Sequence, residues 1–337
     1  MDSCIVVHPQ FDYTWPFAAD YFHSLWRKQG EVFFLRLDHN DRRRLGEVLP
    51  EPSSVKRLVC LDVPVTLACL KTLDNLKEAV FQPGLSSELR EYANQAGITQ
   101  YHQTSEGFWG QSVAEFALAL TLCGLRRIPQ LHHEILTSHE AWDYSSTEGK
   151  PGTRGAQFGD DPRFVNGTVR GKKVRIVGIG NIGSRYASFM NMLGADVAAW
   201  DPFANDPCFH RAGARKEWHL DELMKDADIF APMLPLREST RGIVTAEHIF
   251  TLPKGCLVVL VTRARICDTD AIRKRVLANE IALAADVFDI EPLPLDDPLL
   301  GRHNVVHTPH NAGRTEDANR QWAEHLAAQF RPRCSSF

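Results

Sequence analysis

One short stretch constrains this fold more than any other. Val174-Arg175-Ile176-Val177 reads as a strand, and it is followed at once by Gly178-Ile179-Gly180-Asn181-Ile182-Gly183. The apolar spacing then turns helical from Ile182 to Leu193. A strand that enters a helix through three glycines spaced in this way needs each of them for a physical reason. Gly178 permits a tight turn, Gly180 lets another group approach the backbone closely, and Gly183 lets the helix pack against the strand.

That context turns a weak pattern into a dinucleotide fingerprint. The helix start offers free N–H groups and a partial positive charge to a pyrophosphate. Asp201 closes the next predicted strand, Asp196 to Trp200, where an acid is expected to accept hydrogen bonds from the adenosine ribose hydroxyls. Its charge repels a 2′-phosphate, and no arginine follows between Pro202 and Pro207. NAD is therefore the expected cofactor, in preference to NADP.

The rest of the chain alternates apolar runs with helical stretches, which predicts α/β layers. Strands are expected at Ile5–His8, Glu31–Leu37 and Arg57–Leu61. A single helix is expected from Tyr13 to Lys28 and another from Glu88 to Ala96. Leu73 to Val80 leads into a turn at Pro83-Gly84. Val113, Phe116, Ala117, Leu120 and Gly124 give a strong helix over Val113–Arg126. Residues 145–167 are poor in apolar side chains and read as a loop or arm. After the fingerprint, strands are expected at Asp228–Ala231, Leu257–Val261, Ala282–Val287 and Val305–Thr308, with a helix near Asp317–Phe330.

With 337 residues, 44 % of them hydrophobic and 24 % charged, the chain has material for one large or two medium domains. A net charge of −4 gives no electrostatic reason to expect nucleic acid or a membrane surface as partner. Eight cysteines show no CxxC spacing, and several sit in apolar runs. They predict buried thiols rather than a disulfide framework or a metal site. Neither a signal peptide nor a membrane-spanning apolar stretch is visible, so the expected location is the cytoplasm.

Three downstream segments carry groups suited to carbonyl chemistry, each at a predicted strand end: Leu260 to Asp268, Asp286 to Pro292, and His307 to Thr315. Ligands of open α/β sheets bind beyond the carboxyl ends of the strands, so the three are expected to share that edge. A guanidinium holds a carboxylate and a neighbouring carbonyl together. A histidine moves a proton near neutrality, and a carboxylate beside it fixes its orientation.

Taken with the fingerprint and the Leu234-Pro235-Leu236 turn with Thr240, these motifs resemble the D-isomer-specific 2-hydroxyacid dehydrogenases, the family of phosphoglycerate, formate and D-lactate dehydrogenases. The resemblance runs from about residue 80 to about residue 325. It implies a Rossmann-type doubly wound coenzyme domain over 111–312 and a smaller, discontinuous flavodoxin-like α/β substrate domain over 1–110 and 313–337. It implies NAD-dependent hydride transfer between NADH and a 2-keto acid, giving a D-2-hydroxy acid. Arg263, Glu291 and His310 become the catalytic arginine, glutamate and histidine. Arg263 is preferred over Arg265 because it lies at the family's distance from Asp268. Cofactor contacts are implied for Gly178, Gly180, Asn181, Ile182, Gly183, Asp201, Leu234, Pro235, Thr240, Val261, Thr262, Asp286 and Gly313. For Asp286 the implied partner is the nicotinamide carboxamide, and a strand-end cap is the alternative. The resemblance also implies a homodimer joined through the helix and arm at about 113–168.

The chain departs from the family pattern at several positions. Ala264 replaces a glycine, and Leu260 replaces an asparagine. Pro83 stands in the turn whose N–H groups hold the substrate carboxylate in relatives, which leaves Gly84 and Leu85 as the donors. Trp109 falls where a polar substrate-side residue is usual, with Phe108 and Phe81 near the same positions. The aromatic residues either wall the substrate or pack in the interior. Two other functions fit the same resemblance: an NAD-sensing, corepressor-like binding protein, and a reductase of a larger keto acid in specialised metabolism.

Overall fold

The computed structural model describes residues 2–103, 107–142 and 157–332. The chain divides into two compact units, Met1–Phe108 with Arg314–Phe337, and Trp109–Gly313.

The first unit is built on five parallel strands: β1 (Ser3–Val7), β2 (Phe33–Arg36), β3 (Arg57–Leu61), β4 (Glu78–Gln82) and β5 (Thr99–Tyr101), in the order β2-β1-β3-β4-β5. This is the flavodoxin-like order, in which the direction of winding reverses between β1 and β3. Strands β1 and β3 are buried along their whole length, as central parallel strands must be when helices cover both faces. The expected helix from Tyr13 to Lys28 is two helices, Pro9–Thr14 and Ala18–Arg27. Pro16 denies the chain a backbone donor, and Phe17 sits at φ 70, where no right-handed helix can continue. The C-terminal helix Glu316–Ala327 returns to this unit, where its Trp322 ring stands 5.0 Å from Phe11 and 5.7 Å from Trp15.

The second unit holds seven parallel strands: β6 (Lys173–Val177), β7 (Asp196–Trp200), β8 (Arg215–Lys216), β9 (Ile229–Pro232), β10 (Leu257–Leu260), β11 (Ala282–Ala285) and β12 (Val305–His307). Their order is β12-β11-β10-β9-β6-β7-β8. The reversal falls between β6 and β9, so the glycines that follow β6 lie at the switch point where doubly wound sheets bind ligands. Arg175, in the middle of β6, is 1 % exposed. It is compensated by Asp226 at 2.7 Å and Asp196 at 3.0 Å, which removes the penalty an unpaired buried guanidinium would carry.

Periodicity placed the long strands well and the short or interrupted elements poorly. Strands β5 and β8 have three and two residues, too few to show alternation. The helix expected at Val113–Arg126 spans Gly107–Arg126. A further helix, Ile128–Thr137, follows a break at Arg127, whose φ is 51. Of the expected arm, residues 143–156 lie outside the described residues, and 157–167 form no regular element. Seven cysteines are described, all as free thiols, and no group of metal-binding side chains occurs among the described residues. No described helix is long and apolar enough to cross a membrane.

Candidate functional site

The glycine turn obeys steric rules that can be read atom by atom. A Cβ on Gly183 would stand 2.0 Å from the Gly178 carbonyl oxygen, and one on Gly178 would meet the Leu234 side chain at 2.6 Å. Gly178 also has φ 94, which a side chain would strain. Gly180 differs from both, since a Cβ there would meet no protein atom within 4 Å. The space beside it is open at the start of the helix Asn181–Met192, whose first amides have no intrahelical acceptor. A cradle closed by protein on two glycines and open on the third fits a dinucleotide phosphate. Asn181 is exposed and Ile182 half buried.

Asp201 lies beside this turn. One carboxylate oxygen accepts from the Ile179 N–H at 3.0 Å. The other accepts from the N–H groups of Phe203 at 3.0 Å and Ala204 at 3.1 Å. A carboxylate has about four acceptor positions, so three donors leave room for a hydroxyl. Leu234 and Pro235 open a loop closed by Thr240, whose hydroxyl donates to the Pro235 carbonyl at 2.6 Å and accepts from the Arg237 N–H at 2.8 Å.

Glu291 and His310 meet. His310 Nδ1 is 2.7 Å from Glu291 Oε2, and both side chains are more than a third exposed. The other glutamate oxygen accepts from the Phe288 N–H at 2.8 Å. This arrangement commits Nδ1 to the carboxylate and leaves Nε2 for a substrate. His310 has φ 56, an uncommon conformation for a residue that is not glycine.

The turn around His310 is held by Asp286, which is 0 % exposed. One of its oxygens accepts from Thr308 Oγ1 at 2.6 Å and the Asn311 N–H at 3.0 Å, and the other from the Ala312 N–H at 2.9 Å. Ser112 holds the far end of the turn, donating to the Ala312 carbonyl at 2.6 Å. Sequence patterns did not single out Ser112, because a serine in a helix carries no sign of a partner 200 positions away.

Arg263 follows β10 and is exposed, with Nη1 donating to the Thr262 carbonyl at 2.7 Å. Arg265 is exposed as well, and it donates to the Asp289 carbonyl at 3.2 Å. Val261 is buried, and the Thr262 hydroxyl ties β10 to β9 through the Pro232 carbonyl at 3.2 Å, so both offer only backbone groups to a ligand. Ala264 is in a 3₁₀ turn without positive φ, and Leu260 fills an apolar cluster. Gly313 lies against Val113 and Trp109, at 3.6 and 3.7 Å from where a Cβ would stand.

In the first unit, Gly84 has φ 120 and open space around it. Neither its N–H nor that of Leu85 has an acceptor among the described residues, while the Leu85 side chain is buried. They lie in a cleft of about 420 Å³ with Asp62, Phe81 and Leu89. Phe81, at 8 % exposure, belongs mainly to the core. Trp109 is half buried beside Gly313 in the other unit, and the Phe108 side chain lies outside the described residues. Asp62 was not singled out from sequence, although an acid directly after the apolar run Arg57–Leu61 has the same strand-end position as Asp201.

Residues 118–312 match the NAD binding domain of the D-isomer specific 2-hydroxyacid dehydrogenases. A D-3-phosphoglycerate dehydrogenase of Archaeoglobus fulgidus is 32 % identical over 61 % of this chain and 36 % of its own length. A hydroxypyruvate reductase of Thermotoga maritima is 28 % identical over 84 % of this chain and 85 % of its own. This chain spans 36 to 50 % of the length of the D-3-phosphoglycerate dehydrogenases of Archaeoglobus fulgidus, Methanocaldococcus jannaschii and Haemophilus influenzae that it matches. The NAD-complexed D-isomer specific 2-hydroxyacid dehydrogenase of Lactobacillus delbrueckii ssp. bulgaricus has the same fold, with a TM-score of 0.68 at 19 % identity over 98 % of this chain and 99 % of its own. The family match covers more than half of the chain, and its NAD-binding part carries the glycine turn, Asp201 and the Glu291–His310 pair: the chain belongs to the D-isomer specific 2-hydroxyacid dehydrogenase family.

Proposed function

We propose that this protein reversibly reduces 2-keto acids to D-2-hydroxy acids with NADH. The observation that carries the reading is the 2.7 Å contact between His310 and Glu291 at the carboxyl edge of a sheet whose switch point holds a dinucleotide turn. Bound NADH supplies the hydride. The chain's part is to bind, orient and move a proton. Backbone N–H groups over Gly178–Gly183 hold the pyrophosphate, and Asp201 accepts from the ribose. Leu234, Pro235, Thr240, Val261, Thr262 and Gly313 shape the remaining cofactor surface. Arg263 holds the substrate's carboxylate and carbonyl oxygen. In the first unit, the N–H groups of Gly84 and Leu85 are donors that suit a carboxylate. His310 gives its Nε2 proton to the carbonyl oxygen, while Glu291 keeps the ring in place.

The protein works as a homodimer in this reading. Support comes from apolar side chains left exposed on consecutive helices, among them Leu122, Ile128, Ile135 and Leu136, the last at 69 %. The free thiols suit a reducing compartment such as the cytoplasm. Oxidation of NADH in the presence of a panel of 2-keto acids tests the activity, and light scattering after gel filtration tests the dimer. Failure of every keto acid overturns the reading. Equal efficiency with NADPH overturns the role of Asp201.

A further inference from the structure

The carboxyl edge of the five-stranded sheet holds an acidic group that the proposed reaction leaves without a task. Asp62 follows β3, beside the point where the winding of the sheet reverses, the place where open α/β sheets take ligands. Its backbone is left-handed, with φ 53, and its N–H donates to the Gln82 carbonyl at 2.7 Å. That bond fastens the end of β3 to the turn that carries Gly84 and Leu85. Asp62 and this turn line one cleft, whose remaining walls include Val63, Val65, Phe81 and Leu89. The Asp62 side chain is half buried, and no hydrogen bond to it is made among the described residues. Burial raises its pKa. A half-buried carboxylate with no bound partner, in a cleft that also holds Gln82 and Ser86, is free to take a donor from a ligand.

We infer that Asp62 selects the substrate class: 2-keto acids with a hydroxyl on C3 are accepted, and those with a second carboxylate or a phosphate there are rejected. This rests on the reading that Gly84 and Leu85 hold the substrate's own carboxylate. With that end fixed in the cleft, the C3 substituent lies among the walls that Asp62 shares. A hydroxyl donates to the Asp62 carboxylate, whereas a second anion meets like charge where water screens it poorly. The repulsive element discriminates more sharply than the attractive one, because a hydroxyl competes only with its own hydration.

Steady-state kinetics with NADH and hydroxypyruvate, pyruvate or oxaloacetate test the inference. The expected order of kcat/KM is hydroxypyruvate, pyruvate, oxaloacetate, with at least about tenfold between neighbours. In Asp62→Asn the ratio of oxaloacetate to pyruvate rises about tenfold or more. Asparagine tolerates the left-handed backbone, so the variant changes charge and not fold. An unchanged ratio in that variant, or a wild type that takes oxaloacetate as readily as pyruvate, overturns the inference. Should the variant fail to fold, product inhibition of the wild type decides. D-glycerate binding at least about tenfold tighter than D-malate supports the role of Asp62, and equal binding overturns it. Absence of turnover with any 2-keto acid removes the functional reading itself, whereas turnover without discrimination removes only Asp62.

Discussion

His310 Nδ1 and Glu291 Oε2 stand 2.7 Å apart on loops that leave different strand regions of one sheet. The glutamate is itself held, because its second oxygen accepts from the Phe288 N–H. Both oxygens are thus committed as acceptors, and the imidazole is fixed with no partner on Nε2 among the described residues. His310→Ala should lower kcat by roughly a hundred- to ten-thousand-fold, the range general acid catalysis supplies. NADH affinity, followed by fluorescence titration, should hold. Near-normal turnover would remove His310 as the acid. Glu291→Gln should cost about tenfold or more in kcat, since an amide presents N–H₂ to one of two donors.

Gly180 and Gly183 separate binding from folding. Gly180→Ala places a methyl group in open space, so the melting temperature should stay near the wild-type value while NADH affinity falls about tenfold or more. Gly183→Ala drives a Cβ into the Gly178 carbonyl and should lower the melting temperature. A Gly180→Ala protein that binds NADH as the wild type does would show that the dinucleotide lies elsewhere.

These two glycines also show what was legible in the sequence. The glycine turn and the strands around it follow from local rules of turn chemistry and apolar period, and the structure has the strand, turn and helix where they were expected. The contacts that organise the His310 turn are long-range. Asp286 reaches Thr308, Asn311 and Ala312, and Ser112 reaches Ala312, across separations that no period encodes. Asp286 was visible only as a choice between a cap and a cofactor contact. At the break between the first two helices, Pro16 was a legible signal, but the positive φ of Phe17 was not, because an apolar residue before a helix gives no sign of it.

The Arg175 network gives a pH dependence with a definite sign. The adjacent Arg175 guanidinium pulls Asp226 from its ordinary value of 3.8 down to about 2. A depressed pKa means that the unfolded chain binds the proton first. The contribution is therefore complete above about pH 4 and is lost as the pH falls towards 2. The Asp226 side chain is 41 % exposed, so solvent screening keeps the effect modest. Asp226→Asn should melt below the wild type at pH 7, and the gap should close between pH 4 and pH 2. A gap that does not change with pH would trace the loss to packing.

Asp286 offers the sharpest test, because its two expected roles predict opposite results. The resemblance gives it to the nicotinamide carboxamide, and a contact of that kind would make NADH affinity depend on it. In the structure its carboxylate is fully buried and occupied by three donors from the segment Thr308–Ala312. Those bonds bracket His310, whose φ of 56 is uncommon for a residue with a side chain. Asp286→Asn keeps the size of the side chain but turns one acceptor into a donor. At least one of the three bonds is then lost, and a buried donor left unpaired costs about 1–3 kcal/mol. The turn should relax and carry the imidazole off its line to the carbonyl oxygen. We therefore expect kcat to fall about tenfold to a hundredfold, with the dissociation constant for NADH within about threefold of wild type. Stopped-flow measurement of NADH binding beside steady-state turnover separates the two roles. Loss of NADH affinity with kcat preserved at saturation would assign Asp286 to the cofactor instead.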